Sequence, residues 1–210
     1  MRSGRSAMRR PRTFTPEIAV KNPFAGDVWT WVALDADTKL IPSWIVGPRD
    51  GVTARIFVND LAKRLANRIQ LTSDGLSVYL AAIEQAFHGH IDYAQLVKIY
   101  DNPQEAEKRY SPAECIGCKP QVVDGDPDPK HISTSFVERQ NLTMRMQMRR
   151  YTRLTNAFSK KIENHVAMVA LHIMHYNFCR IHQTLRVTPA MEAGISRDVW
   201  SIEEIIALLN

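Results

Sequence analysis

A single carboxylate stands at the head of a strongly basic stretch between residues 131 and 161. Glu138 is followed, from Arg139 to Lys161, by seven Lys or Arg residues and no Asp or Glu. A carboxylate is a ligand that Mg²⁺ prefers, and a row of cations binds the phosphates of nucleic acid. The same pattern also fits a helix start, in which Ser135 caps the helix and Glu138 reaches back to the cap amide. This stretch alone leaves both interpretations of Glu138 open.

A second carboxylate, Asp74, follows a short apolar strand that the sequence predicts over residues 69–72. A helix is predicted after it, over about 77–87. Because α/β folds bind ligands at the carboxyl ends of strands, Asp74 lies where such a fold carries function. Asp-Gly is also a common turn dipeptide. Taken together, Asp74 and Glu138 are a candidate pair of metal-binding carboxylates.

The bulk properties favour a polyanionic partner. The chain has 210 residues, a net charge of +5 and a pI near 9.2, and its positive charge collects at residues 1–12 and 139–161. Three cysteines are too few for a disulfide framework, and no stretch resembles a secretory signal or a membrane span. We therefore expect a reduced, cytoplasmic protein with no membrane partner.

The first half of the chain has the pattern of an α/β protein. Residues 1–26 are Arg-rich and lack apolar periodicity, which predicts a basic, disordered arm. A hairpin is predicted from 27–34 and 40–46, with Pro42 at an edge or a bulge. An amphipathic helix over 52–68 then precedes the strand that ends near Asp74. The order of hairpin, helix, strand and helix predicts a mixed sheet with helices packed on it.

The second half is legible from the basic stretch onward. Residues 88–130 are ambiguous, since 91–100 fits a strand or a helix and 121–123 a short strand. A long apolar helix is predicted over about 159–178. Thr188-Pro189 predicts a short helix, and Ser201 with Glu204 predicts a capping box.

Four segments resemble one family when they are taken in order. They are GDVWTWVALDADTKLIPSWIVG, LTSDG, STSFVERQNLTMRMQMRRYTRLTNAFSKK and YNFCRIHQTLRVTPA. From about Asp27 to its C-terminus, the chain resembles DDE transposases with a ribonuclease-H-like core, of the insertion-sequence-one type. The resemblance implies a ribonuclease-H-like mixed sheet flanked by helices over 27–186, with a C-terminal helical tail over 187–210.

The resemblance also implies an activity and a set of site residues. Such enzymes use Mg²⁺, with Mn²⁺ as a substitute, for DNA nicking and strand transfer during transposition, and they assemble as oligomers on the element ends in the prokaryotic nucleoid. Asp74 and Glu138 would then be catalytic metal ligands. The implied DNA contacts are Arg139, Arg145, Arg149, Arg150, Arg153, Lys160, Lys161, Arg180 and His182. The last two residues equally fit structural polar positions at a helix end.

One part of the family pattern is missing. The first catalytic Asp of the family lies in a D-E-x-W-like segment upstream of the hairpin, and nothing in residues 1–26 matches it. Asp35 is the candidate substitute, although it also fits an ordinary hairpin turn. We therefore expect the first strand to be missing or altered, as in a truncated copy that binds DNA or partners without cutting. A third alternative is a basic structural protein, in which Glu138 is a helix cap and Asp74 a turn residue.

Overall fold

The computed structural model describes residues 2–7, 27–100, 115–151, 159 and 161–208. Six strands lie in these ranges: β1 (Arg2–Ala7), β2 (Asp27–Val32), β3 (Trp44–Gly47), β4 (Gln70–Asp74), β5 (Asp92–Tyr100) and β6 (Cys115–Asp124). The same ranges contain six α-helices: α1 (Gly51–Lys63), α2 (Val78–Phe87), α3 (Ser135–Gln147), α4 (Ile162–Met174), α5 (Pro189–Glu192) and α6 (Ile202–Ala207). Two 3₁₀ turns, Pro129–His131 and Arg149–Tyr151, and a π-helical segment, His175–Cys179, complete the described elements.

The chain divides into two compact units. The first unit comprises Met1–Arg2 and Asp50–Ser135, and the second comprises Ser3–Arg49 and Phe136–Asn210. Each unit contributes one three-stranded sheet among the described residues, β4-β5-β6 in the first and β1-β2-β3 in the second. Neither sheet is a closed barrel. The prediction of a mixed α/β architecture is confirmed at this level.

The first unit contains the mixed sheet. Strand β4 pairs in parallel with β5, and β5 pairs antiparallel with β6. A parallel pair needs a crossover, which α2 supplies between β4 and β5. The apolar faces of α1 and α2 pack on one another and are buried together with residues of β4 and β5. The main buried side chains of this core are Phe57, Leu61, Tyr79, Ile83 and Tyr93.

The second unit is built on the predicted hairpin. Strands β2 and β3 pair antiparallel, with Trp29 opposite Gly47 and Val32 opposite Trp44. Strand β3 starts two residues after Pro42, which has no amide hydrogen for a ladder bond. The hairpin packs on α3 and α4 through a buried cluster of Val32, Ile41, Met144, Met148, Val169, Ile173 and Tyr176. This cluster includes Val169, Ile173 and Tyr176 of the apolar stripe predicted for α4.

Several element boundaries differ from the predictions. Helix α1 ends at Lys63 instead of residue 68, and this early end leaves Arg68 in position to pair with Asp92 at the start of β5. Residues 92–100 form a strand, and β6 is longer than the predicted 121–123. The long helix is α-helical only to Met174 and continues as the π-helical segment.

The predictions for the tail are confirmed. Thr188 caps α5, where Pro189 follows it, and Ser201 and Glu204 form a reciprocal capping box at α6. Of the predicted arm over 1–26, the structure describes Arg2–Ala7 as the strand next to β2. The other residues of that segment lie outside the described part of the chain. No helix in the described ranges is long and apolar enough to cross a membrane.

Candidate DNA-binding and metal-binding residues

Asp74 is the last residue of β4 and precedes α2, as the sequence predicted. Its carboxylate is half-buried and accepts a long hydrogen bond of 3.4 Å from the amide of Leu76. A Cβ atom at Gly75 would come within 3.1 Å of the Val97 side chain, so glycine suits this close turn. Asp74 therefore lies at the carboxyl end of a parallel strand, in a turn that β5 supports.

A buried hydrogen-bond network fixes the strand end below Asp74. The hydroxyls of Ser73 and Tyr93 are 2.7 Å apart, and Gln95 Nε2 donates to the Tyr93 oxygen at 3.0 Å and to the Leu76 carbonyl at 3.3 Å. Burial raises the pKa of Tyr93, and the negative charge of Asp74 acts in the same direction. The Asp74 carboxylate is therefore close enough to this network for the two to interact.

Glu138 lies in the first turn of α3 and is half-buried. The helix begins at Ser135, whose amide donates to Ser133 Oγ at 3.2 Å. Ser135 is thus the first helical residue, so that the capping position falls on Thr134 and the third residue after it is Val137. These bounds differ from the capping box that the sequence offered for Ser135 and Glu138.

The basic residues of the α3 region lie mainly at the surface. Val137, Gln140 and Met144 form the buried side of the helix, whereas Arg139 and Arg145 are exposed. Arg149, in the following 3₁₀ turn, is exposed, and the half-buried Arg150 donates to Ser159 Oγ. Lys161 is exposed as well. Arg153 and Lys160 lie outside the described residues.

A small pocket adjoins the basic side of α3. It is lined by Thr30, Asn141, Met144, Arg145 and Tyr151. The hydroxyls of Thr30 and Tyr151 are 2.7 Å apart, which ties β2 to the segment after α3. Burial raises the pKa of Tyr151 to about 12, although the positive charge of Arg145 opposes this shift. Tyr151 therefore stays neutral and serves as a hydrogen-bonding anchor next to Arg145.

The segment after the π-helix carries the other two predicted DNA contacts. Arg180 is exposed, and its amide donates to the His175 carbonyl at 2.9 Å. His182 is half-buried, and its Nδ1 is 3.0 Å from Thr184 Oγ1. Partial burial lowers the pKa of His182, and the positive charges of Lys39 and Arg180 add to that effect. The structure thus brings Lys39, from the hairpin turn, close to both predicted residues.

Asp35 is engaged in its own turn. Its carboxylate accepts hydrogen bonds from the amides of Asp37 and Thr38 and from the Thr38 hydroxyl. Such bonds are typical of Asp at a turn. This geometry matches the turn interpretation of Asp35, which the sequence offered beside its role as a substitute ligand.

The carboxylates suit Mg²⁺ in chemistry, but they do not form a complete cluster. Asp74 belongs to the first unit and Glu138 to the second, so that each is described within its own unit. Among the described residues, no group of three or more His, Cys, Asp or Glu side chains is placed to hold a metal ion. The donor types fit a Mg²⁺ site with two protein ligands.

Known proteins add no assignment. No family model, curated protein or solved structure matches the chain. The geometry described above and the resemblance of the four sequence segments therefore carry the functional argument.

Sequence reasoning missed three polar residues of the second unit. Lys39 gave no signal, since a lysine at the end of a hairpin turn is usually only solvated. His165 and His172 lie on the buried side of α4, where the apolar periodicity concealed them. A histidine at a predicted core position is itself a signal, because burying its ring nitrogens without partners is costly.

Proposed function

We propose that this chain is the ribonuclease-H-like core of a DDE-type transposase of an insertion sequence, which binds DNA and cuts it with Mg²⁺. The observation that carries the proposal is the composition of α3. A half-buried carboxylate, Glu138, occupies the first turn, and the exposed Arg139 and Arg145 follow it. That arrangement places a metal ligand and phosphate-binding cations on one short helix.

The strand pairing supports the finer fold assignment. The antiparallel pair β2–β3 corresponds to the hairpin of the resemblance, and the parallel pair β4–β5 carries Asp74 at its carboxyl end. A helix follows β4 directly, as the family pattern requires. We therefore assign the hairpin, the parallel pair and α3 to a ribonuclease-H-like core.

Each residue has a distinct role in this proposal. Asp74 and Glu138 would hold Mg²⁺, or Mn²⁺ in its place. When bound, the metal activates the attacking oxygen and stabilises the leaving oxygen of a phosphodiester. Arg139, Arg145 and Arg149 would bind the DNA backbone, and the Tyr151 anchor would hold the segment that follows α3 against β2. Arg180 and His182 would contact the DNA from the segment after the π-helix.

The partners follow from the reaction. Transposition joins two element ends to a target, so we propose that two or more copies of the chain assemble on DNA in the prokaryotic nucleoid. The exposed arginines would supply the sequence-independent part of that binding.

A second candidate function is DNA binding without cleavage. The geometry of Asp35 favours it, since three hydrogen bonds from its turn already engage the carboxylate that would replace the first catalytic Asp. With only two metal ligands, the chain would occupy DNA ends or join complete partners without cutting them.

DNA affinity tests the part that both candidates share. The dissociation constant for a fluorescent duplex is measured by anisotropy at several salt concentrations, for the wild type, Arg139→Gln, Arg145→Gln and the control Arg55→Gln. Arg55 is exposed on α1 of the first unit. Each α3 substitution should weaken binding and reduce the slope of log K against log salt by about 0.9, because one phosphate contact is lost. Equal slopes in all four proteins would overturn the proposed interface.

A further inference from the structure

Three cationic or hydrogen-bonding side chains meet beside the first turn of α3. Lys39 Nζ lies 3.9 Å from the centroid of the Phe136 ring, and Phe136 is the second residue of α3. His182 lies where the charges of Lys39 and Arg180 both act on it. All four residues belong to the second unit. The hairpin turn, α3 and the segment after the π-helix thus converge at this place.

The position of Lys39 is fixed by its surroundings. Its backbone has a positive φ of 60° at the end of the turn, and its ammonium donates to the Ala36 carbonyl. An ammonium has three donors, so this bond and the ring contact leave donors for a ligand. Asp35 accepts bonds within the same turn, which engages the nearest acidic side chain of the hairpin. Lys39 is therefore held in place with capacity to bind an anion.

The backbone joins the two sides of the cluster. Asn177 makes two hydrogen bonds with the backbone of Ile41, which holds the end of the hairpin turn next to the π-helix. The amide of His182 donates to the Val187 carbonyl at 2.9 Å, and the amide of Arg186 donates to the His182 carbonyl at 2.9 Å. These bonds close the loop that carries His182, so that the loop does not depend on a ligand for its shape.

We propose that Lys39, Arg180 and His182 form a binding site for one phosphate group of the DNA backbone, beside the first turn of α3. Lys39 and Arg180 supply charge, and Arg180 supplies a planar set of donors that matches phosphate oxygens. Neutral His182 donates from Nε2 when its Nδ1 accepts from the Thr184 hydroxyl. The inference rests on the proposed function, since it takes the phosphate to be that of DNA, and it adds Lys39 to the interface.

The test follows the side chain of His182 directly. The full chain, with labelled histidines, is titrated by NMR with inorganic phosphate and separately with a short DNA duplex at pH 7.5. The imidazole signals of His182 should shift saturably with both ligands. Lys39→Gln should weaken phosphate binding about fivefold, which is typical of losing one partly exposed charge interaction. Lys39→Arg should restore it, and the exposed Lys63→Gln on α1 should have no effect.

Each outcome has a clear meaning. The inference is overturned if the His182 signals respond to neither ligand, or if Lys39→Gln and Lys63→Gln behave alike. A response to inorganic phosphate but not to DNA would overturn the assignment to DNA and leave a site for free phosphate. The proposed function fails separately, when the chain does not bind DNA or when the α3 arginines do not contribute to its affinity.

Discussion

The side-chain amide of Asn177 forms two hydrogen bonds with the backbone of Ile41. Its Nδ2 donates to the Ile41 carbonyl at 3.0 Å, and its Oδ1 accepts from the Ile41 amide at 3.1 Å. Both residues are buried, and both bonds join the hairpin to the π-helical segment. A buried side chain that satisfies a backbone amide and a carbonyl together acts as a clamp between these elements.

Replacing Asn177 should therefore be costly. Asn177→Leu leaves the amide and the carbonyl of Ile41 buried without partners, which should lower the free energy of unfolding by about 2–4 kcal/mol. Urea unfolding followed by circular dichroism measures the change, with the exposed Asn59→Ala as a control. The clamp has no energetic role if the two variants unfold at the same midpoint.

The Thr30–Tyr151 hydrogen bond should appear as a coupling energy. The cycle uses Thr30→Val, Tyr151→Phe and the double variant, which remove the hydroxyls and keep the side-chain shapes. We expect a coupling of about 1 kcal/mol in the free energy of unfolding, because the 2.7 Å bond is buried on one side by the core. Additive effects of the two single substitutions would show that the bond contributes nothing measurable.

Acid should destabilise the second unit through His172. Its Nε2 is buried with no hydrogen-bond partner among the described residues. Burial lowers the pKa of His172 from 6.5 to about 4, and the charges of His175 and Arg180 act in the same direction. Below pH 6.5 the unfolded chain therefore binds more protons at this residue than the folded chain does. The stability that the neutral ring provides is complete above pH 6.5 and is lost as the pH falls toward 4.

The slope of stability against pH measures this effect. Between pH 6.5 and 4, the free energy of unfolding should fall by up to about 1.4 kcal/mol per pH unit from this residue alone. His172→Leu should flatten the curve in that range, while the exposed His90→Gln should leave it unchanged. A wild-type slope that survives in His172→Leu would assign the pH dependence to other groups.

Two glycines separate backbone strain from steric overlap. Both Gly89 and Gly125 have a positive φ, of 78° and 66°. A Cβ at Gly89 meets nothing within 4 Å, whereas a Cβ at Gly125 would meet Asp92, Arg68 Nη2 at 2.7 Å and the Ile91 carbonyl at 2.7 Å. Gly89→Ala should cost about 1 kcal/mol of stability, from strain alone. Gly125→Ala should cost clearly more, because it also displaces the Arg68–Asp92 pair. Equal midpoints in urea would contradict this distinction.

Local sequence signals explain much of the fold. The capping box at α6 needs only Ser201 and Glu204 three residues apart, and the hairpin follows from the alternation in β2 and a polar turn. The identity of residues 92–100 was ambiguous because their strand state depends on pairing with β4 and β6, which are distant in sequence. The π-helical segment was missed because a helical periodicity does not reveal an extra residue within one turn.

The candidate site was predictable only in part. Asp74 and Glu138 follow from residue type and from their places at a strand end and a helix start. The proximity of Lys39 to His182 did not follow, since it arises when the Asn177 clamp holds the hairpin turn beside the segment after the π-helix. Tertiary contacts of this kind leave no periodic pattern in a single sequence.

The most direct test of the account is nicking of supercoiled plasmid DNA in the presence of Mn²⁺. The wild type is compared with Asp74→Asn and Glu138→Gln, and with Asp60→Asn and Glu163→Gln as matched controls outside the proposed site. DNA binding by all five proteins is verified in parallel. The account predicts that the wild type and both controls nick the plasmid, while Asp74→Asn and Glu138→Gln bind it without nicking. Wild-type chain that binds DNA and never nicks it, or nicking that survives both site substitutions, would contradict the assignment of Asp74 and Glu138 as catalytic metal ligands.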